Sequence, residues 1–353
     1  MNRSLFLPCW TSLLVCLVLH QHLSHLLVVT AENAEDAATE KKTRPNILLI
    51  LADDVGTGDI GSVYWKSSSN NNHDDESTTT TTSKSSSNKR SAGAPAMPHI
   101  EQLASDSVLF TDAHSTPLCA TSRYLLLSGN YNHRGTSIHG VWNFAFDEAQ
   151  FTPGQQSIAD VLREEAGYHT AMLGKWHLGG KLPRKNEEDS GKVDRSNILR
   201  NEDLDWTKPF PGGPQDIGFD TSYISIAGIQ APPYTFYQNG ILTSNSSDIV
   251  SYEENSEHER ASGTSKILIP GEGDFDWDSS AYNLKLFDET EDFLDNHELT
   301  RPDDPFFAYV ALGSVHYPHS PPNYYRDGTP LAGRFENEHF AVLAEMNLVS
   351  AVG

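Results

Sequence analysis

"NILLILADD" (residues 46–54) is a run of five unbroken aliphatic residues that stops at two adjacent carboxylates, Asp53 and Asp54. A continuous apolar run of this length suits a strand buried on both faces, as in a parallel sheet. Two more segments share the form. "YHTAMLGKWH" (residues 168–177) ends on Lys175 and His177, and "PFFAYVALGSVH" (residues 305–316) ends on His316. Helical patterns lie between them: residues 100–108 after Pro98, residues 157–165 closed by Gly167, and residues 282–294 with Leu284, Phe287 and Leu294 on one face. Strands alternating with helices predict an α/β fold, a mainly parallel sheet with helices on both faces. Ligands of such sheets bind beyond the carboxyl ends of the strands, so Asp53-Asp54, Lys175-x-His177 and His316 are expected to converge on one site.

The rest of the chain sets the context. Arg3, an apolar run over residues 5–19 and the small-residue site Val29-Thr30-Ala31 read as a secretory signal peptide, residues 1–31. His20, His22 and His25 interrupt the apolar stretch well short of the ~20 residues of a membrane span, and no later segment is a stable span. An acidic, Ala-rich leader (32–43) is expected to be disordered, and folded sequence to run from 44 to 353. Within it, residues 67–96 are a Ser/Thr/Asn-rich insert with almost no apolar side chain. Residues 184–203 and 244–265 read as polar loops, and the second holds an acceptor sequon, Asn245-Ser246-Ser247.

The formal net charge of −23, from 25 Lys+Arg against 48 Asp+Glu among 353 residues, argues against a nucleic-acid partner and against docking on anionic membranes. An anionic substrate would need a local cationic pocket. Two of the three cysteines, Cys9 and Cys16, leave with the signal peptide, so Cys119 has no internal disulfide partner in an oxidising compartment. It stands in "PLCATSRYLLLSG" (residues 117–129), where a helix is predicted to begin. A helix start favours an anion through its free N–H groups, and Arg123, one turn later, adds a fork of donors for a tetrahedral oxyanion. Asp53 and Asp54 at a strand end are hard oxygen ligands suited to Ca²⁺ or Mg²⁺. The residues alone therefore describe a metal-assisted site for an anionic ester, with an unusual nucleophile at a helix start.

At these residues the chain resembles the type I sulfatases. "PNILLILADDVGTGDIG" is similar to the family's first metal-binding segment and "CATSRYLLLSG" to its Cys-X-Pro-X-Arg signature. "GYHTAMLGKWHLG" is similar to the second signature and "FFAYVALGSVHYPH" to the later histidine segment. The resemblance, from about Pro45 to the end, implies an alkaline-phosphatase-like fold, and an enzyme that cleaves sulfate monoesters, aryl sulfates or sulfated glycans, in the secretory pathway, outside the cell or in a lysosome- or vacuole-like compartment.

By the same resemblance, a formylglycine-generating enzyme converts Cys119 to Cα-formylglycine, whose hydrate attacks sulfur with one hydroxyl. The alcohol leaves; the second hydroxyl then loses its proton, expels sulfate and restores the aldehyde. Asp53, Asp54 and modified Cys119 match ligands of a Ca²⁺, with Mg²⁺ the lesser candidate. Arg123 orients the hydrate, and Lys175 contacts nucleophile and sulfate oxygens. His177 matches the proton acceptor for elimination and His316 the general acid at the leaving oxygen.

Two departures stand out. Thr121 occupies the position of the signature proline, which predicts inefficient conversion of Cys119. The family's later Asp-Asn pair and sulfate-binding lysine are not found before the chain stops at "HFAVLAEMNLVSAVG". The expectation is a chain truncated at its C-terminal side, lacking part of the fold, and inactive by itself. Two other functions stay open on the residues: a phosphate mono- or diesterase of the same superfamily, and a secreted, non-catalytic protein that binds sulfated glycans.

Overall fold

The computed structural model describes residues 44–56, 59–60, 97–141, 147–185 and 204–331. The signal peptide, the acidic leader, the Ser/Thr/Asn insert and the last 22 positions, 332–353, lie outside them, as does most of the loop read at 184–203.

Four strands form the parallel heart of a six-stranded sheet: β1 (Ile47–Leu51), β2 (His169–Lys175), β3 (Thr221–Ser225) and β10 (Phe306–Ala311), in the spatial order β1-β10-β2-β3. Two short antiparallel strands, β4 (Tyr237–Gln238) and β5 (Ile241–Leu242), extend it beyond β3. All seven residues of β2 and all six of β10 are buried, the place that the apolar stretches Ala171–Leu173 and Phe306–Ala311 require.

Both faces of the sheet are covered, because a strand presents alternate residues to opposite sides. Phe307 and Tyr309 of β10 join Met172 of β2 in one core, with Tyr124 and Leu127 of α2 (Cys119–Ser128) and Ala159 of α3 (Ile158–Ala166). Phe306, Ala308 and Val310 face the other way, with Ala171 and Leu173, against Leu286, Phe287 and Phe293 of α4 (Tyr282–Thr300). Ile100 of α1 (Pro98–Asp106) packs on that second side. The expected arrangement of helices on both faces is thus present.

Local signals set the helix ends. Ser157 accepts from Asp160 N–H while the Asp160 carboxylate accepts from Ser157 N–H, a reciprocal cap that starts α3. Gly167 (φ 67°) and Gly129 (φ 66°) end α3 and α2 in the left-handed conformation that glycine adopts most readily. Two expectations need revision. Helix α4 continues six residues past Leu294 to Thr300, its exposed polar second half held by His297, buried beneath it. The segment 244–265 is not a loop throughout: it holds β6 (Ile249–Tyr252), β7 (Ser256–Glu259) and the first residues of β8 (Thr264–Ile267). β6 pairs with β9 (Gly271–Asp274) and β7 with β8. Their pairing partners, not a local apolar alternation, make these residues strands; β7 reads Ser-Glu-His-Glu.

Candidate active site

Each predicted ionisable cluster leaves a parallel strand at its carboxyl end, and the loops there are tied together by their backbones. Beyond β1, Asp53 N–H donates to Ser314 O at 2.8 Å, and Val315 N–H donates back to Asp53 O at 2.6 Å, so the loops after β1 and β10 move as one. Beyond β2, Trp176 N–H and His177 N–H donate to Ser225 O and Ile226 O, joining that loop to the one after β3. Asp54 (φ 61°) and His177 (φ 52°) both hold the left-handed backbone that costs a non-glycine residue free energy, a strain that concentrates where side chains must be aimed. His177 therefore leaves the extended path of β2, and both it and Lys175 reach Cys119.

Cys119 is the first residue of α2, as expected, with Leu118 extended at the cap. Its Sγ lies 3.2 Å from His177 Nδ1 and 3.7 Å from Lys175 Nζ. Lys175 Nζ donates to Asp53 Oδ2 at 2.5 Å and also to Gln230 Oε1. Arg123, one helical turn after Cys119, places Nη2 3.3 Å from Asp53 Oδ1, and donates from Nη1 to Lys175 O and the Tyr309 hydroxyl. On the outer side, His316 Nε2 is 3.5 Å from Asp54 Oδ2, while its Nδ1 donates to Tyr317 O at 2.6 Å. The backbone carbonyl accepts the Nδ1 proton's hydrogen bond, and Nε2 is turned to Asp54.

Burial and charge define what the site accepts. Asp53, Arg123 and Lys175 are 2%, 1% and 0% exposed, so two buried cations share one buried carboxylate. Burial by itself would raise the Asp53 carboxyl, but Lys175 and then Arg123 outweigh it and hold it below its ordinary range. Burial lowers Lys175, with Asp53 opposing. Burial, reinforced by Lys175 and Arg123, pushes His177 well below the usual histidine range, so its imidazole is neutral at pH 7. Arg123 Nε and Nη2 are buried without a well-aligned hydrogen-bond acceptor. Unmatched positive charge and orphaned guanidinium donors fit a tetrahedral oxyanion bound against Cys119.

All the predicted site residues come together: Asp53, Cys119, Arg123, Lys175 and His177 as a buried cluster, with Asp54 and His316 at its rim. Asp54, 58% exposed at its side chain, is free of the cations that engage Asp53. The two adjacent carboxylates thus face different partners past the end of β1, Asp53 the buried cations and Asp54 His316. Among the described residues no group of three or more His, Cys, Asp or Glu is arranged to hold a metal ion. Thr121 keeps the turn at Cys119 closed without a proline: its hydroxyl donates to Leu118 O at 3.0 Å and meets the Thr116 hydroxyl at 2.6 Å.

Sequence reasoning missed Gln230 and Tyr309. Tyr309 lies inside an apolar strand run and gives no local sign that its hydroxyl faces a buried guanidinium. Gln230 lies in "SIAGIQAPP", just past β3, and the rule that ligands gather at strand carboxyl ends would have reached it had β3 been recognised as a parallel strand.

A family model described as Sulfatase matches residues 45–339. An N-acetylgalactosamine-6-O-sulfatase of Bacteroides thetaiotaomicron is 28% identical over 307 residues, 80% of this chain and 50% of that protein. Mouse arylsulfatase G is 34% identical over 149 residues, 41% of this chain and 22% of that protein. Among solved structures, a Bacteroides thetaiotaomicron glycosaminoglycan-metabolism sulfatase superposes with a TM-score of 0.58 at 21% identity, covering 88% of this chain and 58% of that one. A Pseudoalteromonas sulfatase does so with a TM-score of 0.52 at 19% identity, covering 87% and 50%. The chain spans about half the length of the Bacteroides relative, and no helix among the described residues is long and apolar enough to cross a membrane. The alkaline-phosphatase-like α/β sheet, the buried cationic cluster at its strand ends and the match over most of the described chain agree: the chain belongs to the Sulfatase family.

Proposed function

We propose that the protein hydrolyses sulfate monoesters at Cys119. The observation that carries this is the cluster in which Cys119 Sγ lies 3.2 Å from a neutral His177 and 3.7 Å from Lys175, above the orphaned donors of Arg123. Sulfatases generally work with a formylglycine and a divalent metal. In this reading the Cys119 sulfur stands where the oxygens of a hydrated formylglycine would sit, and that hydrate supplies the nucleophile. Asp53 and Asp54, with modified Cys119, would hold a Ca²⁺, which neutralises the sulfate oxygens when bound.

The chain's own residues do the rest. Arg123 and Lys175 bind the sulfuryl oxygens from buried positions, where each donor counts for more than in solution. His177, neutral because it is buried among cations, accepts a proton at Nδ1 from the hydroxyl facing it. His316 Nε2 gives a proton to the departing alcohol oxygen, after which the alcohol leaves neutral. The signal peptide and the sequon at Asn245 support a secreted or lysosome-like glycoprotein whose Cys119 is converted by a formylglycine-generating enzyme on the way.

The test is peptide mass spectrometry across Cys119 on protein made in its native host, together with turnover of matched aryl sulfate and aryl phosphate esters. A peptide about 18 Da lighter than the thiol form and preferential cleavage of the sulfate are expected. An unmodified thiol without sulfate turnover, or preferential phosphate turnover, would overturn the reading.

A further inference from the structure

The loop that follows β3 closes over Lys175 from stem to head. Gly228 (φ 77°) lies against the stem: a Cβ at this position would stand 2.8 Å from Lys175 Cδ and 3.2 Å from Cγ. Two residues on, Gln230 is 7% exposed, and its Oε1 accepts from Lys175 Nζ. The loop is anchored just before the contact. Trp176 and His177 N–H bind Ser225 O and Ile226 O, and the Ser225 hydroxyl meets the Tyr282 hydroxyl at 2.5 Å.

An ammonium has three N–H donors in fixed tetrahedral directions. Asp53 Oδ2 takes one and Gln230 Oε1 takes a second, so the rotation about the terminal bond is set. The third donor is left for the side on which Cys119 Sγ lies, 3.7 Å away. Without Gln230 the head could turn, and without the glycine surface the four-carbon stem could not follow its path. The chemistry at position 230 also matters. An amide oxygen satisfies a buried donor without cancelling its charge, whereas a second carboxylate would bring the cluster to two cations and two anions and remove its attraction for an oxyanion.

We propose that Gly228 and Gln230 are positioning residues that clamp Lys175, Gln230 fixing the direction of its free N–H and Gly228 the path of its stem, so that the lysine addresses the nucleophile and the sulfuryl oxygens. This rests on the sulfatase reading of the site. The test compares the wild-type protein with Gln230→Met, Gln230→Glu and Gly228→Ala. It measures kcat and KM on an aryl sulfate, inhibition by inorganic sulfate, formylglycine content and thermal midpoint.

Gln230→Met keeps the side chain's length without an acceptor, and kcat is expected to fall ~10–100-fold, the cost of a misplaced catalytic contact, with formylglycine content unchanged and Tm within about 3 °C of wild type. Gln230→Glu is expected to weaken inhibition by sulfate ~10-fold or more, as a fixed opposing charge should. Gly228→Ala should repeat the kcat loss, and if it fails to fold the Gln230 variants still decide. Wild-type kcat in Gln230→Met, or losses of Tm and kcat in parallel without a change in sulfate inhibition, overturns the clamp while leaving the sulfatase reading standing. A wild-type protein that neither turns over sulfate esters nor binds sulfate overturns that reading, and the clamp with it.

Discussion

Replacing Asp53 by asparagine keeps the side chain's shape and removes the single buried carboxylate that faces both Lys175 Nζ at 2.5 Å and Arg123 Nη2 at 3.3 Å. Both cations are essentially without solvent contact, so the variant leaves two like charges close together with no counter-charge. Breaking a buried ion pair from one side costs about 3–5 kcal/mol, and the shared carboxylate places Asp53→Asn at the upper end. At roughly 2 °C per kcal/mol for a chain of this size, the midpoint should fall by about 10 °C. Lys175→Met makes the complementary change, leaving one cation with one carboxylate, and is expected to cost less than half as much despite removing the same contact. Sulfate should rescue Asp53→Asn selectively, since a ligand at 100 times its Kd adds about 2.7 kcal/mol. The assay is thermal unfolding in chelator-treated buffer, with and without sulfate, with chloride at equal ionic strength as the control. Equal losses in Asp53→Asn and Lys175→Met, or a sulfate effect that chloride reproduces, would refute the claim that the cluster carries surplus positive charge.

Away from the site, burial raises the Asp274 carboxyl to about 6, so its proton is held more tightly in the folded chain than in the unfolded one. That contribution is complete only below the unfolded value near 4 and is lost as pH rises through about 6; Asp274→Asn should therefore be neutral at about pH 3 and more stable than wild type by about 1–2 kcal/mol at pH 7.5, read from denaturant midpoints. At Gly174 (φ 100°) a Cβ would stand 2.0 Å from Ala311 O inside the parallel ladder, and Gly174→Ala should give insoluble or unfolded protein by circular dichroism. A soluble, wild-type-like variant would contradict the register of β2 against β10. Asn245 is exposed, and its Oδ1 accepts from Ser247 N–H at 3.1 Å; protein from a glycosylating host should lose mass on deglycosylation, and Asn245→Gln should abolish that shift with no change in Tm.

Much of the fold was legible because the buried parallel strands carry apolar runs: Ile47–Leu51 and His169–Lys175 were found to within three residues of their ends, and Phe306–Ala311 to within five. β3 was not, because Thr221–Ser225 reads Thr-Ser-Tyr-Ile-Ser and owes its conformation to pairing with β2. The same holds for β7 with β8, whose polar residues resemble a loop until a partner supplies the backbone bonds. At the site, the residue types that bear charge at strand ends could be named in advance, since a carboxylate or ammonium following a buried run has nowhere to go but the sheet's edge. Gln230 carries no charge and follows a strand that local pattern does not reveal, so it stayed hidden.

By itself the sequence determined which ionisable side chains follow the buried strands and which end of the sheet they share, because strand direction and apolar periodicity are local properties. Only the tertiary structure decided their state. Lys175 and Arg123 are converted from ordinary surface cations into a buried pair sharing Asp53, and His177 into a neutral base, by elements more than 50 residues apart that exclude water around them. Electrostatic energies depend on distance and dielectric, and neither exists until the chain has closed on itself.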